Sequence, residues 1–169
     1  MRRRTMRGRR GSCRIAWCAA MVGAILLGVT WCIVLALVGA PRLLLRVLSP
    51  YFFVMPTWLF LVAMALFFVV AGGCLGALLG NGREAEGPRY RCAFFLTLCA
   101  VFSYLWYAMF FGARFFLPAF LLAVLAAFCA VSTFAGGRLR CRPIFLAQIG
   151  MSVHSVYLLL LTVNAFFLL

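Results

Sequence analysis

The sequence predicts an all-α membrane protein, a bundle of five transmembrane helices with its N-terminus on the cytoplasmic side and its C-terminus opposite. Three observations lead there. First, 67% of the 169 residues are hydrophobic and 11% charged, against roughly half and about a quarter in soluble domains. A water-soluble fold cannot hide that much apolar surface, so lipid is the solvent. Second, the apolar residues form long runs with the charges gathered between them. Each run reaches the ~20 residues that cross a hydrocarbon core as a helix, and only a helix satisfies the backbone of such a run within itself. Third, the 16 basic residues, all arginine, alternate in density from one gap to the next.

Residues 1–14 carry seven arginines and no acid. They read as a solvated or headgroup-bound arm with no fold of its own, ahead of a membrane domain at 15–169. The first span, 15–40, is too long for the 7–15-residue apolar region of a secretory signal, so an uncleaved helix is expected. Pro41, Arg42, Arg46 and Pro50 separate it from the second span, 51–80. Residues 81–91 form a polar turn containing Glu84 and Glu86, the only acids in the chain. Spans three and four, 92–113 and 115–135, flank Arg114, the single charge between Arg91 and Arg138. Gly136 and Gly137 lead into an arginine-bearing loop, and the last span is 143–169. With the N-terminus inside, thirteen arginines fall on the cytoplasmic side and three on the other, which sets the orientation by the positive-inside rule.

The charge excess of +14 sits at span ends, so it reads as a topology signal and not as a nucleic-acid footprint. Catalysis is not expected. The two glutamates share an exposed turn, and Ser103, Ser132 and His154 lack the acid that would orient a base. His154 is the only histidine, and no cysteine pair has zinc-ligand spacing. A histidine hydrogen-bonded across helices is its default reading. The eight cysteines mostly lie inside apolar segments and read as small hydrophobes, with Cys13 and Cys18 also placed for palmitoylation.

Three patterns within the spans bear on packing and binding. In span two, Trp58, Val62, Ala65, Val69, Gly72, Gly76 and Gly80 fall on one helix face. The three glycines make overlapping GxxxG units that suit close helix approach, either within the chain or in a homodimer. In span three, Phe102, Trp106 and Phe110 form one aromatic row, and Tyr104, Tyr107 and Phe111 form its neighbour. These rings line a ligand, or pack as core, or belong to an interfacial belt. In span five, Gly150, His154, Tyr157 and Asn164 lie on one stripe and Gln148, Ser152, Ser155 and Thr162 on the opposite one. Polar groups on two faces call for a central helix.

Five spans with a third ending in Phe110-Phe111-Gly112-x-Arg114 resemble the TspO/translocator protein family, the tryptophan-rich sensory proteins. That family closes its third span with N-W-x-W-P-P-x-F-F-G-x-R. Trp106, Phe110, Phe111, Gly112 and Arg114 are identical to the pattern. Ser103 and Tyr104 substitute in it, and Tyr107 and Ala108 stand for the prolines. Before span two the family has P-P-x-W-x-x-G-P-x-W. Here Ser49, Pro50, Phe52, Met55, Pro56 and Trp58 occupy that register, with Pro50, Pro56 and Trp58 agreeing. Val163-Asn164 echoes the family's Leu-Asn in span five. The Lys-Pro-Ser-Trp element and the Pro-Tyr opening of span five are absent.

The resemblance implies a flat hydrophobic ligand held between helices, a tetrapyrrole such as haem or protoporphyrin, with sterols second. Phe52, Trp58, Tyr104 and Trp106 would be its walls, and Asn164 and Ser103 its hydrogen-bonding anchors. Two other classes remain open: a multi-span interaction or envelope protein, of the kind a large DNA virus encodes, and a small transporter.

Overall fold

The computed structural model describes residues 3–38, 56–80, 86–135 and 142–168. They form five long helices, and no strand occurs among the described residues. The helices are α1 (Arg3–Val38), α2 (Thr57–Gly80), α3 (Glu86–Tyr107), α4 (Phe116–Ala135) and α5 (Arg142–Leu168). A π-helical turn, Ala108–Ala113, prolongs α3. All five contain a stretch long and apolar enough to cross a membrane. The protein is therefore an integral, multi-pass membrane protein built as an all-α bundle, as the sequence predicts.

Two boundaries differ from expectation. The basic arm is helical from Arg3, continuous with the first span. Once the span supplies a helical nucleus, each further residue costs little to add, and arginine is a good helix former. Similarly, α3 starts at Glu86, inside the stretch read as a turn. Glu86 in the first turn complements the positive end of the helix dipole. Pro88 sits where the backbone N–H groups have no intrahelical acceptor, so its missing donor costs nothing. Pro118 and Pro143 occupy equivalent early positions in α4 and α5.

α2 touches α1, α3 and α5, while α4 touches α3 and α5. α1 is peripheral: Trp31 is the one buried residue among its described side chains. Its main attachment is a backbone-to-backbone seam with α2. A Cβ added at Gly72 would overlap the Gly23 carbonyl, and one at Gly76 would overlap the Ala19 carbonyl. In lipid, apolar side chains gain nothing by leaving solvent, so association rests on close packing and hydrogen bonds. Gly72 and Gly76 are thus spent within the chain. On the same face of α2, Trp58, Val62 and Val69 are exposed beyond the seam.

α3 and α5 carry a second seam, made of side chains. In α3 and the π turn that prolongs it, Cys92, Leu96, Cys99, Ser103, Trp106 and Phe110 are all buried, at alternating steps of four and three. In α5, Gln148, Met151, Ser155, Leu158, Thr162 and Ala165 are buried at the same alternation. Three polar contacts join them: Gln148 Nε2 donates to Cys92 Sγ at 3.1 Å, Cys99 Sγ meets Ser155 Oγ at 3.6 Å, and Trp106 Nε1 donates to Thr162 Oγ1 at 2.7 Å. Every rung spans 56 residues of sequence. A constant offset requires the helices to run parallel, and a seven-residue repeat is that of a left-handed supercoil. The central position expected of α5 is met, since it touches α2 and α4 and is bonded to α3.

Candidate functional site

The aromatic stretch 102–114 is where the backbone departs from a regular helix. The π turn Ala108–Ala113 ends at Arg114, whose φ of 55° and ψ of 33° are left-handed. Among the described residues it is the one non-glycine with positive φ. The N–H groups of Arg114 and Phe115 both donate to the Met109 carbonyl, the latter at 3.0 Å. This caps the helix end in the way a glycine usually does. Gly112, two residues earlier, serves another purpose. A Cβ there would come within 3.2 Å of the Val38 side chain, so Gly112 makes room for the end of α1.

Behind the π turn the interior is filled with rings. Trp106, Tyr107 and Phe110 are fully buried, while Phe102, Tyr104 and Phe111 are half-buried. Trp106 stacks on Phe110 with centroids 4.9 Å apart, and Phe60 of α2 meets Phe111 edge-on at 5.5 Å. Tyr104 lies flat on Phe68 at 3.9 Å and 6°. From α1, Trp31 stacks on Phe68 at 5.2 Å and meets Tyr107 edge-on at 4.8 Å. The Tyr104 hydroxyl donates to the Leu27 carbonyl at 2.6 Å. The Tyr104–Leu27 hydrogen bond and the Trp31–Tyr107 ring contact thus help to fasten α1 to α3 at this end.

The residues nominated from sequence are distributed as follows. Tyr104 and Trp106 belong to this aromatic interior. Ser103 is buried beside them and donates to the Cys99 carbonyl at 2.8 Å, which leaves its oxygen able to accept. Asn164 is half-buried, two residues after the Trp106 partner Thr162. Trp58 is 67% exposed, whereas Trp106 is fully buried. Phe52, with Ser49, Pro50 and Met55, lies outside the described residues. The structure thus gathers Ser103, Tyr104 and Trp106 and sets Trp58 apart.

Thr162 was not expected as the Trp106 partner, and the rings of Trp31, Phe60 and Phe68 were not singled out at all. The step of seven linking Gln148, Ser155 and Thr162 could have exposed the first. The rings lack such a signal, since phenylalanine is common throughout the chain. The histidine expectation is met in part: His154 does contact another helix, through Met64 Sδ at 3.0 Å from its Nε2, and its ring stacks on Phe67 at 4.4 Å.

Cavities among the described residues lie away from these rings. One of about 550 Å³ runs along α1 past Gly28 and Cys32 to Val69, and one of about 260 Å³ lies between α2 and α5. Neither is lined by Trp58, Ser103, Tyr104, Trp106 or Asn164. No group of three or more metal-ligating His, Cys, Asp or Glu occurs among the described residues.

The chain matches no family model, no curated protein and no solved structure.

Proposed function

We propose that this membrane protein holds a flat hydrophobic ligand, a tetrapyrrole in the first instance and a sterol in the second, among the rings behind the π turn. The observation that carries the reading is the coincidence of that turn with the aromatic interior. π-helical turns are rare and concentrate at functional sites. A polycyclic ligand needs stacking surfaces together with one or two polar anchors. Tyr104 and Trp106 are the walls in this reading, joined by Phe68 and Phe60, with Ser103 and Asn164 as anchors. The exposed Trp58 drops out of the wall. The rings now close on one another, so binding requires them to part. The weak point is the α1–α3 contact, where the Tyr104–Leu27 bond and the Trp31–Tyr107 edge are the fastening.

The four tryptophans provide the test. Trp17 and Trp58 are exposed, whereas Trp31 and Trp106 are buried at the proposed site. A Trp17→Phe/Trp58→Phe double variant in nanodiscs should retain saturable quenching by protoporphyrin. Adding Trp106→Phe should weaken that quenching several-fold. Quenching no greater than that of a tryptophan octyl ester in protein-free nanodiscs would overturn the reading. Absence of quenching together with a stoichiometric co-purified membrane protein would favour an assembly role instead.

A further inference from the structure

The smaller cavity has the makings of a second, separate site. It lies between α2 and α5 and is lined by Phe67, Gly150, Met151 and His154, with Leu66 and Val70 at its rim. The rim residues are 59% and 40% exposed, so the cavity opens toward the surface that faces lipid. Its volume of about 260 Å³ falls below the range usual for drug-sized ligands. It suits a head group whose tail stays in the bilayer.

His154 gives the cavity its polarity, and its partner fixes which kind. Nε2 lies 3.0 Å from Met64 Sδ. A thioether sulfur has no hydrogen to donate and acts as a weak acceptor, so the proton of this contact belongs to Nε2. The neutral ring carries one proton, which leaves Nδ1 bare and able to accept. Among the described residues Nδ1 has no hydrogen-bond partner. The ring's orientation is held by the Phe67 stack on one side and by Met64 at its edge. One turn earlier on the same helix face, Gly150 leaves room: a Cβ added there meets nothing within 4 Å. The cavity therefore offers an apolar wall and one hydrogen-bond acceptor.

We infer that this cavity binds the hydroxyl head of a single-tailed amphiphile entering from the bilayer, with the O–H donating to His154 Nδ1. An ether or ester of the same tail offers no donor and would leave that acceptor unsatisfied, which in an apolar setting is the larger penalty.

Because His154 is the only histidine, protein labelled with ¹⁵N-histidine gives one imidazole to observe. In nanodiscs without amphiphile, the spectrum should show the Nε2–H tautomer. Adding 1-dodecanol should move the Nδ1 resonance toward its hydrogen-bonded position in a saturable way, while dodecyl methyl ether should not. Gly150→Leu fills the cavity with a better helix former, so it should abolish the dodecanol response and keep the tautomer. An Nδ1–H tautomer would overturn the inference. So would equal responses to alcohol and ether, no response to either, or an undiminished response in Gly150→Leu. None of these outcomes depends on the tetrapyrrole reading, which concerns other residues and another ligand.

Discussion

The two ends of the bundle are built by different means. Toward the arginine-rich side, helices meet through small residues, with Gly72 and Gly76 against Gly23 and Ala19 and with Ala93, Ala126 and Ala130 buried in α3 and α4. Toward the Arg114 side, the large buried side chains are the rings of Trp31, Phe60, Phe68, Trp106, Tyr107 and Phe110, with Ala119 and Ala123 of α4 buried in the same half. Backbone seams have one geometry and no slack, because nothing there can rotate away. Rings can change rotamer, and a cluster of them can open while the backbone stays put. The ligand proposed above would therefore enter at the Arg114 end by parting the rings, and the small-residue end would be the frame that holds the helices meanwhile.

The sharpest way to break this contrast is to change one side chain in each half. Gly72→Leu puts a side chain where the Gly23 carbonyl already stands. The loss should be about 3 kcal/mol or more, since overpacking usually costs 1–3 and here the obstacle is backbone. Steric-trap unfolding in bicelles measures it, and a limited-proteolysis site opening between α1 and α2 should accompany it. A loss below about 1 kcal/mol would show that the seam can slide.

In the aromatic half, Trp106→Ala should cost about 3 kcal/mol, the low end for deleting a buried aromatic. Thr162→Val removes the acceptor of the Trp106 Nε1 donor together with the bond from Thr162 Oγ1 back to the Leu158 carbonyl, and the interhelical part should cost about 0.6 kcal/mol, the mean for hydrogen bonds between membrane helices. The same unfolding assay separates them. If Thr162→Val proves as costly as Trp106→Ala, the ladder between α3 and α5 and not the ring packing holds this end together.

The contrast also explains what could be read in advance. Span number follows from hydropathy, because transfer to lipid acts on each residue separately. The nearly complete burial of the α3 and α5 seams was not visible as hydrophobic periodicity. In lipid the buried face need not be more apolar than the exposed one. Here Cys92, Cys99, Ser103, Gln148, Ser155 and Thr162 face inward while Phe94, Leu105 and Val153 face outward. Small and weakly polar residues at seven-residue steps were the usable signal. Tyr104, Trp106 and Ser103 were legible as neighbours because one helix carries them within a single turn. Placing Trp58 opposite them required the rotation of α2 about its axis, and that is set by the Gly72–Gly23 approach one end away.

Arg114 gives the smallest effect and the opposite sign. Holding an L-residue in the left-handed region costs about 1–2 kcal/mol, and glycine removes that cost while losing about 0.5–1 kcal/mol through greater freedom when unfolded. Arg114→Gly should therefore stabilise by about 0.5 kcal/mol in the same bicelle assay. The arginine bias stays lopsided without it, so a reporter fused at the C-terminus should still be found opposite the cytoplasm. Protoporphyrin quenching should be unchanged as well if the aromatic rings, and not this cation, hold the ligand. A tenfold loss of affinity with topology intact would place Arg114 beside an anionic edge of the ligand. The left-handed backbone would then serve to aim its guanidinium, and the binding site would extend from the buried rings to the membrane surface.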